Sequence, residues 1–224
     1  ELVRPQLSET FFKVLIVQLQ KIGHNISVVL PQKYTMQRGK SMTVLKIFTD
    51  GGCSGNQSEI NFGGWGAILE FGEHKKELYG GEANTTNNRM ELTAVIAALK
   101  AVNKENQKVE VFTDSSYVAN CFREKWYESW RKNGWRNAAR KAVENKDLWE
   151  ELLSLVESHN VNFYRVKGHI NLNSKSTKFD QLYEKFQQWN GSNFTYEEFL
   201  YVCEMNNRAD ELANIGITEI KGKE

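Results

Sequence analysis

Four carboxylates stand where they could act together. Asp50 and Asp114 each close a β-rich run, Val44-Leu45-Lys46-Ile47-Phe48-Thr49 and Val109-Glu110-Val111-Phe112-Thr113. Each follows a threonine and precedes a Gly or Ser turn. If the two strands are neighbours, both side chains emerge at one end of the sheet, where α/β folds place their ligands. Glu91 falls on the first turn of a helical pattern, and Asp210 lies in the last one. Four acids converging on one place repel each other unless counter-ions intervene. All-oxygen donors select hard divalent cations, Mg²⁺ or Mn²⁺. An isolated Asp after a strand is ordinarily a turn residue or a helix cap, so the case rests on the elements and words around each acid.

Those elements can be read from period and punctuation. Gly63 to Phe71 and Lys75 to Tyr79 read as strands following the first, with short Gly-containing turns between, so the three predict an antiparallel meander. The first strand is expected to turn at Asp50-Gly51-Gly52. Met90, Ala94, Ala97, Ala98 and Ala101 then fall at helical spacing, with Thr86 or Asn87 as N-cap. Ser115 to Phe122 and Leu148 to Val156 read as helices. Val161 to Val166 reads as a fifth strand and Asn206 to Ile215 as a helix. The order β-β-β-α-β-α-α-β-α implies an α/β fold, a mixed sheet with helices on its faces. The first strand is central, since its near-continuous apolar run suits burial on both faces.

Composition bounds the rest. The chain has 224 residues, is 40% hydrophobic and 25% charged, and carries a net +1. That suits one globular domain with an appendage, and global charge names no partner. Cys53, Cys121 and Cys203 are far apart with no zinc-ligand spacing, and an odd count fits a reducing compartment. The apolar run Phe11 to Leu19 is too short to span a bilayer. A soluble cytoplasmic protein is expected. Residues 1–41 are read as an extension of unknown role, with a short helix at Phe11 to Ile22, a brief strand at Val28 to Leu30 and a connector at Gln37 to Ser41. Residues 42–224 form the domain proper.

Seven separated words resemble ribonuclease H of type 1 and arrive in that family's order. They are Thr49-Asp50-Gly51-Gly52-Cys53-Ser54-Gly55-Asn56, Gly63-Gly64-Trp65-Gly66, Thr85-Thr86-Asn87-Asn88-Arg89-Met90-Glu91-Leu92, Thr113-Asp114-Ser115-Ser116-Tyr117-Val118, Trp130-Arg131-Lys132-Asn133-Gly134-Trp135, Val166-Lys167-Gly168-His169, and Asn207-Arg208-Ala209-Asp210-Glu211-Leu212-Ala213. The resemblance covers about residues 43 to 216. It implies a ribonuclease H-like fold with a five-stranded mixed sheet. It also implies an endonuclease that cuts the RNA strand of RNA–DNA hybrids with two Mg²⁺ ions, Mn²⁺ substituting. The ions would lie about 3.5–4 Å apart. Asp50 would bridge them, Glu91 and Asp114 would complete one site and Asp210 the other. A metal-bound water would attack in line, leaving 5′-phosphate and 3′-hydroxyl ends. His169 would be an auxiliary proton carrier, although a lone loop histidine is more often only a surface residue.

Cutting only RNA requires contacts to ribose 2′-hydroxyls. Gly51, Cys53, Asn56, Asn87 and Asn88 are suitably polar for this, though turn and cap chemistry explains the same residues, and Thr86 with the helix N-terminus near Ser115 could form a phosphate pocket on the same surface. The DNA strand is assigned to the stretch 121–146. Eight basic residues there face three acidic ones, a local net of +5 in a chain of net +1. Trp126, Trp130 and Trp135 are interleaved around Lys132. This reads as a basic handle for phosphates with aromatic contacts, or as a solvated face over core tryptophans. A monomer with no obligate protein partner is expected.

One segment departs from the family pattern. Between the His169 loop and Asp210 about 35 residues intervene, 170–205. Phe179, Leu182, Tyr183, Phe186 and Trp189 fall at helical spacing, a turn follows at Asn190-Gly191-Ser192-Asn193, and Tyr196, Phe199, Leu200 and Val202 lead toward Asp210. This reads as a helical hairpin beside the site, a lid, a substrate contact or a packing element, with apolar spacing favouring packing. It leaves the His169 loop differently anchored. Two other functions compete: a nucleic-acid-binding module with the same fold and no chemistry, and a strand-transfer nuclease of the wider superfamily. The four acids argue against the first, and the Thr-Thr-Asn-Asn-Arg-Met-Glu word against the second.

Overall fold

The computed structural model describes residues 44–54, 61–174 and 176–222. The expectations for residues 1–41, and for Gly55 and Asn56, lie outside the described residues. Five strands form one sheet: β1 (Leu45–Ser54), β2 (Phe62–Phe71), β3 (His74–Ala83), β4 (Lys108–Thr113) and β5 (Asn160–Arg165). Among the described residues six helices accompany them: α1 (Asn87–Lys100), α2 (Ser116–Arg123), α3 (Trp126–Lys132), α4 (Lys146–Glu157), α5 (Phe179–Asn190) and α6 (Tyr196–Lys221). The sheet order is β3-β2-β1-β4-β5. The first three strands are antiparallel, while β4 and β5 run parallel to β1. β1 is central, as its apolar run predicts.

β1 does not turn at Asp50. It continues to Ser54, because Gly51, Gly52 and Cys53 stay paired with Trp65, Gly64 and Gly63 of β2. The parallel ladder with β4 stops at Thr49–Thr113. Asp50 therefore stands where one neighbour of β1 ends and the other continues. The element order also gains α3 in the basic stretch.

Two cores cover the two faces of the sheet. Ile47, Val109 and Val111 point to one face, against Leu92, Val95 and Leu99 of α1 and Trp149 and Leu152 of α4. Phe48, Ile68 and Phe112 point to the other, against Phe186 of α5 and Phe199, Val202 and Leu212 of α6. The alternation of Ile47 and Phe48 is the period-2 pattern of a strand buried on both sides. Phe48 and Phe112 stack at 5.2 Å across the β1–β4 pair.

The expected hairpin is present, and it packs. α5 ends at Gly191, whose φ of +87° suits glycine. α6 begins with a capping box: Thr195 accepts from the Glu198 amide at 3.1 Å, and the Thr195 amide donates to the Glu198 carboxylate at 2.8 Å. No helix among the described residues is long and apolar enough to cross a membrane.

α6 reaches the sheet through bare backbone. A β-carbon on Gly66 would collide with the Ala209 carbonyl, and one on Gly64 with the Ala213 carbonyl. Arg208 holds Glu77 of β3 with two bonds of 3.1 and 2.8 Å, and the Tyr79 hydroxyl donates to Glu219 at 2.9 Å. These contacts fix the height and rotation of the helix that carries Asp210.

The hairpin is thus part of the core. Phe186 is 1% exposed, so Phe186→Ala should destabilise the protein by about 3–5 kcal/mol. Urea unfolding checks this. A loss under about 1 kcal/mol would show that α5 lies loosely on the sheet.

Candidate active site

Asp50, Glu91 and Asp114 converge at the carboxyl end of β4. One ligand atom from each lies within 4.8 Å of the other two. Three separate local devices bring them there. Asp50 is held in β1 by pairing with Gly66. Glu91 is on the first turn of α1, which Thr86 caps by accepting from the Arg89 amide. That turn lies directly on β1, since a β-carbon on Gly51 would collide with the Met90–Glu91 peptide. Asp114 follows the last residue of β4, and Ser115 caps α2 immediately after it.

The three acids are poorly hydrated. Asp50 is 5% and Glu91 8% exposed. Asp50 Oδ1 accepts from the Gly51 amide at 2.7 Å. Asp50 Oδ2 and Glu91 Oε2 are buried without a hydrogen-bond partner. Burial, then the charges of Asp114 and Asp210, push the Asp50 carboxyl up to about 8. Burial, then Asp114 and Asp50, push Glu91 well above the usual carboxylate range. Asp114 is also raised, chiefly by burial, while His169 opposes the rise.

Asp210 stands at the rim. Its side chain is 32% exposed, and its Oδ2 lies 3.6 Å from Nδ1 of His169. Its field reaches both Asp50 and Asp114. His169 is mostly exposed and sits on a left-handed residue, φ +54°. The preceding Gly168 lies so close to Asp114 that any β-carbon there would overlap the carboxylate. The structure thus brings all five expected residues into one region, with Asp50, Glu91 and Asp114 at its centre and Asp210 and His169 at its rim.

Sequence reasoning missed Asn206. This residue is 1% exposed, and both polar atoms of its side chain lack a hydrogen-bond partner. It lies beside Asp114 and favours that residue's charged form, yet without hydrogen-bond geometry. It is four residues before Asp210, on the same helix face. That spacing was the available signal, but the word read from the sequence began one residue later, at Asn207.

The candidate substrate residues divide. Thr86 and Asn87 are exposed and Asn88 half-buried at the start of α1, while Cys53 is half-buried and Gly51 buried. Lys132 and the seven other basic side chains of the 121–146 stretch are all exposed. The tryptophans are not a surface row. Trp130 is 8% exposed and belongs to the core, where it meets Trp149 edge-on at 5.4 Å. Trp126 and Trp135 pack half-buried against that core. The helical spacing of Trp126 and Trp130 turns both toward the domain, and the lysines and arginines take the outside.

The donor set fits divalent metal ions. It is all oxygen, it gathers three carboxylates, and it leaves two buried carboxylate oxygens without partners, which protein groups alone do not explain. The family model described as RNase H matches residues 42–187. The chain belongs to the ribonuclease H family. The Chlorobium luteolum ribonuclease H is 50% identical over 138 residues, 62% of this chain and 91% of that protein. The Thermoanaerobacter sp. (strain X514) ribonuclease H is 52% identical over 129 residues, 58% of this chain and 81% of that protein. Among solved structures, LC9-RNase H1, a type 1 RNase H with the type 2 active-site motif, superposes with a TM-score of 0.52. It is 26% identical, with 76% of this chain and 85% of that one covered. The PFV RNase H domain in solution gives a TM-score of 0.53 at 23% identity, covering 80% and 96%. The family match ends inside α5. Asp210 lies beyond it, and its place at the site rests on the geometry.

The raised acids set a pH dependence. A carboxyl whose folded pKa exceeds its unfolded value binds protons in the folded state after the unfolded chain has lost them. Stability of the metal-free protein should therefore fall as pH rises from about 4 to the value near 8 of Asp50. Thermal unfolding in chelator at pH 5 and pH 8 checks this. Asp50→Asn should raise Tm at pH 8 more than at pH 5, and equal shifts would contradict the electrostatic account.

Proposed function

We propose that this ribonuclease H hydrolyses the RNA strand of RNA–DNA hybrids at the Asp50–Glu91–Asp114–Asp210 centre with two Mg²⁺ ions, Mn²⁺ substituting. The observation that carries this is the cluster of three desolvated carboxylates with unpartnered oxygens. Such a cluster is costly unless cations neutralise it. Asp50, Glu91 and Asp114 would hold one ion, with Asp50 shared, and Asp210 would complete the second position. Bound divalent ions supply a water nucleophile at neutral pH and neutralise charge developing on the phosphate oxygens.

The chain's own residues do the rest. The burial of Asp50 and Glu91 keeps competing water away from the ligand atoms. Asn206, buried beside Asp114, favours that residue's charged form. His169, exposed beside Asp210, can accept or deliver a proton at the departing group, an auxiliary task that leaves the acids essential. The products carry 5′-phosphate and 3′-hydroxyl ends.

Strand choice follows from surface chemistry. Thr86, Asn87 and Asn88 present amide and hydroxyl groups beside the acids, able to bond the 2′-hydroxyls that mark RNA. Gly51 and Cys53 follow Asp50 on the same strand, buried and half-buried, and their backbone can serve the same contacts. The cations of the 121–146 stretch face phosphates of the other strand. Among the described residues, Lys132, Arg136, Arg140 and Lys141 pair with no acid, so their charge is available to a nucleic acid. Trp126 and Trp135 offer only their half-exposed edges to the substrate. The free cysteines suit a reducing, cytoplasmic setting, and the protein acts as a monomer.

Two measurements test this reading. With Mg²⁺ and labelled hybrid, double-stranded RNA or double-stranded DNA, only the RNA of the hybrid should be cut. Asp50→Asn should abolish cutting, and a fully active Asp50→Asn would falsify the mechanism. Hybrid binding without cleavage by the wild type would instead indicate a binding module. Separately, Lys132→Ala should weaken hybrid binding at all sequences and lower the slope of log K against log salt by about 1. An unchanged slope removes Lys132 from the interface.

A further inference from the structure

The loop that carries His169 is fastened at both ends by asparagines from the 170–205 hairpin and the helix it leads into. β5 is an edge strand of the sheet. Its last residue, Arg165, turns its backbone outward, where, among the described residues, no further strand pairs with it. The side chain of Asn190, the last residue of α5, fills that role. Its Oδ1 accepts from the Arg165 amide at 2.8 Å, and its Nδ2 donates to the Arg165 carbonyl at 2.8 Å. A carboxamide is the side-chain equivalent of a peptide group, so Asn190 acts as one residue of a sixth strand. Asp could accept but not donate there, and Leu could do neither.

The far end of the loop is held in the same manner. Nδ2 of Asn207, on α6, donates to the Ile170 carbonyl at 2.7 Å. Between the two ties, the Val166 amide donates to the Thr113 carbonyl at 2.9 Å, and Val166 and Ile170 are buried. Gly168 rests on Asp114. The Arg165 guanidinium also stacks on the Trp189 ring at 4.3 Å, with Lys185 over the same ring at 5.1 Å. His169 itself has a largely solvated side chain whose near partner is Asp210. Its own side-chain contacts do not fix its place; the backbone of the loop does.

We infer that Asn190 and Asn207 are positioning residues for His169, and that the hairpin serves the reaction by clamping this loop. The inference rests on the reading of His169 as an auxiliary proton carrier. Loosening either end lets the left-handed His169 backbone relax and moves the imidazole away from Asp210. Substrate affinity, which lies in the handle and the start of α1, is untouched.

A double-mutant cycle on the full chain tests this, with Mg²⁺ and hybrid substrate. Asn190→Ala and Asn207→Ala should each lower kcat by roughly three- to tenfold, a fraction of a positioned acid–base group's usual effect. KM should stay within about twofold, since uniform binding is not lost. In a His169→Ala background neither should lower kcat further, because coupled residues are not additive. Assays run well below each variant's Tm exclude simple unfolding. Should Asn190→Ala fold poorly, Asn207→Ala, which removes a single hydrogen bond, carries the test. An equal loss in both backgrounds, or an unchanged kcat while His169→Ala is impaired, overturns the clamp alone. An unimpaired His169→Ala overturns the proton-carrier reading and the clamp with it.

Discussion

The mutual repulsion of Asp50, Glu91 and Asp114, held within 4.8 Å and largely out of water, is the constraint on which the rest of the structure depends. Unpaired charges in such a place are costly, and in the metal-free protein burial and mutual repulsion raise all three carboxyls above the usual carboxylate range. Keeping them together requires backbone that cannot spread. The two apolar layers supply it. Phe48 and Phe112 on one face and Ile47 and Val111 on the other lock β1 to β4 just before the two aspartates. The close seating of α1 on Gly51 then leaves Glu91 no other direction. Stability made in the core is spent at the sheet end, the usual relation between a rigid scaffold and a strained site.

The hairpin extends that logic. A sheet with helices on one face only would leave Phe48, Ile68 and Phe112 to water. α5 and α6 cover them. The same two helices fasten the His169 loop and deliver Asp210 over the glycine surface of β2. One segment therefore closes the core, terminates the edge strand and sets the rim of the site.

Much of this was legible in the residues. The strand and helix periods, the central β1 and the helical spacing of the 170–205 segment follow from spacing, capping and turn chemistry acting locally, while the acids stood out through the words around them and the family those words resemble. What was not legible depends on tertiary placement. The Asp50-Gly51-Gly52 run reads as a turn, yet pairing with β2 keeps it extended. Trp130 among arginines and lysines reads as a nucleic-acid contact, yet the helix turns it into the core beside Trp149. Asn190 reads as the start of a turn, and only the position of the β5 edge reveals its second use. Asn206 carries no local signal beyond its spacing from Asp210.

The central claim is that burial and repulsion raise these carboxyls, Asp50 to about 8, so that metal binding at neutral pH must release protons from the site. Calorimetric titration of Mn²⁺ into the protein at pH 7, in buffers of different ionisation enthalpy, measures proton release directly, since ligands must be deprotonated to bind. The account predicts release of about one proton or more on binding, and less in Asp50→Asn. Binding with no proton release, or release unchanged in Asp50→Asn, would contradict it.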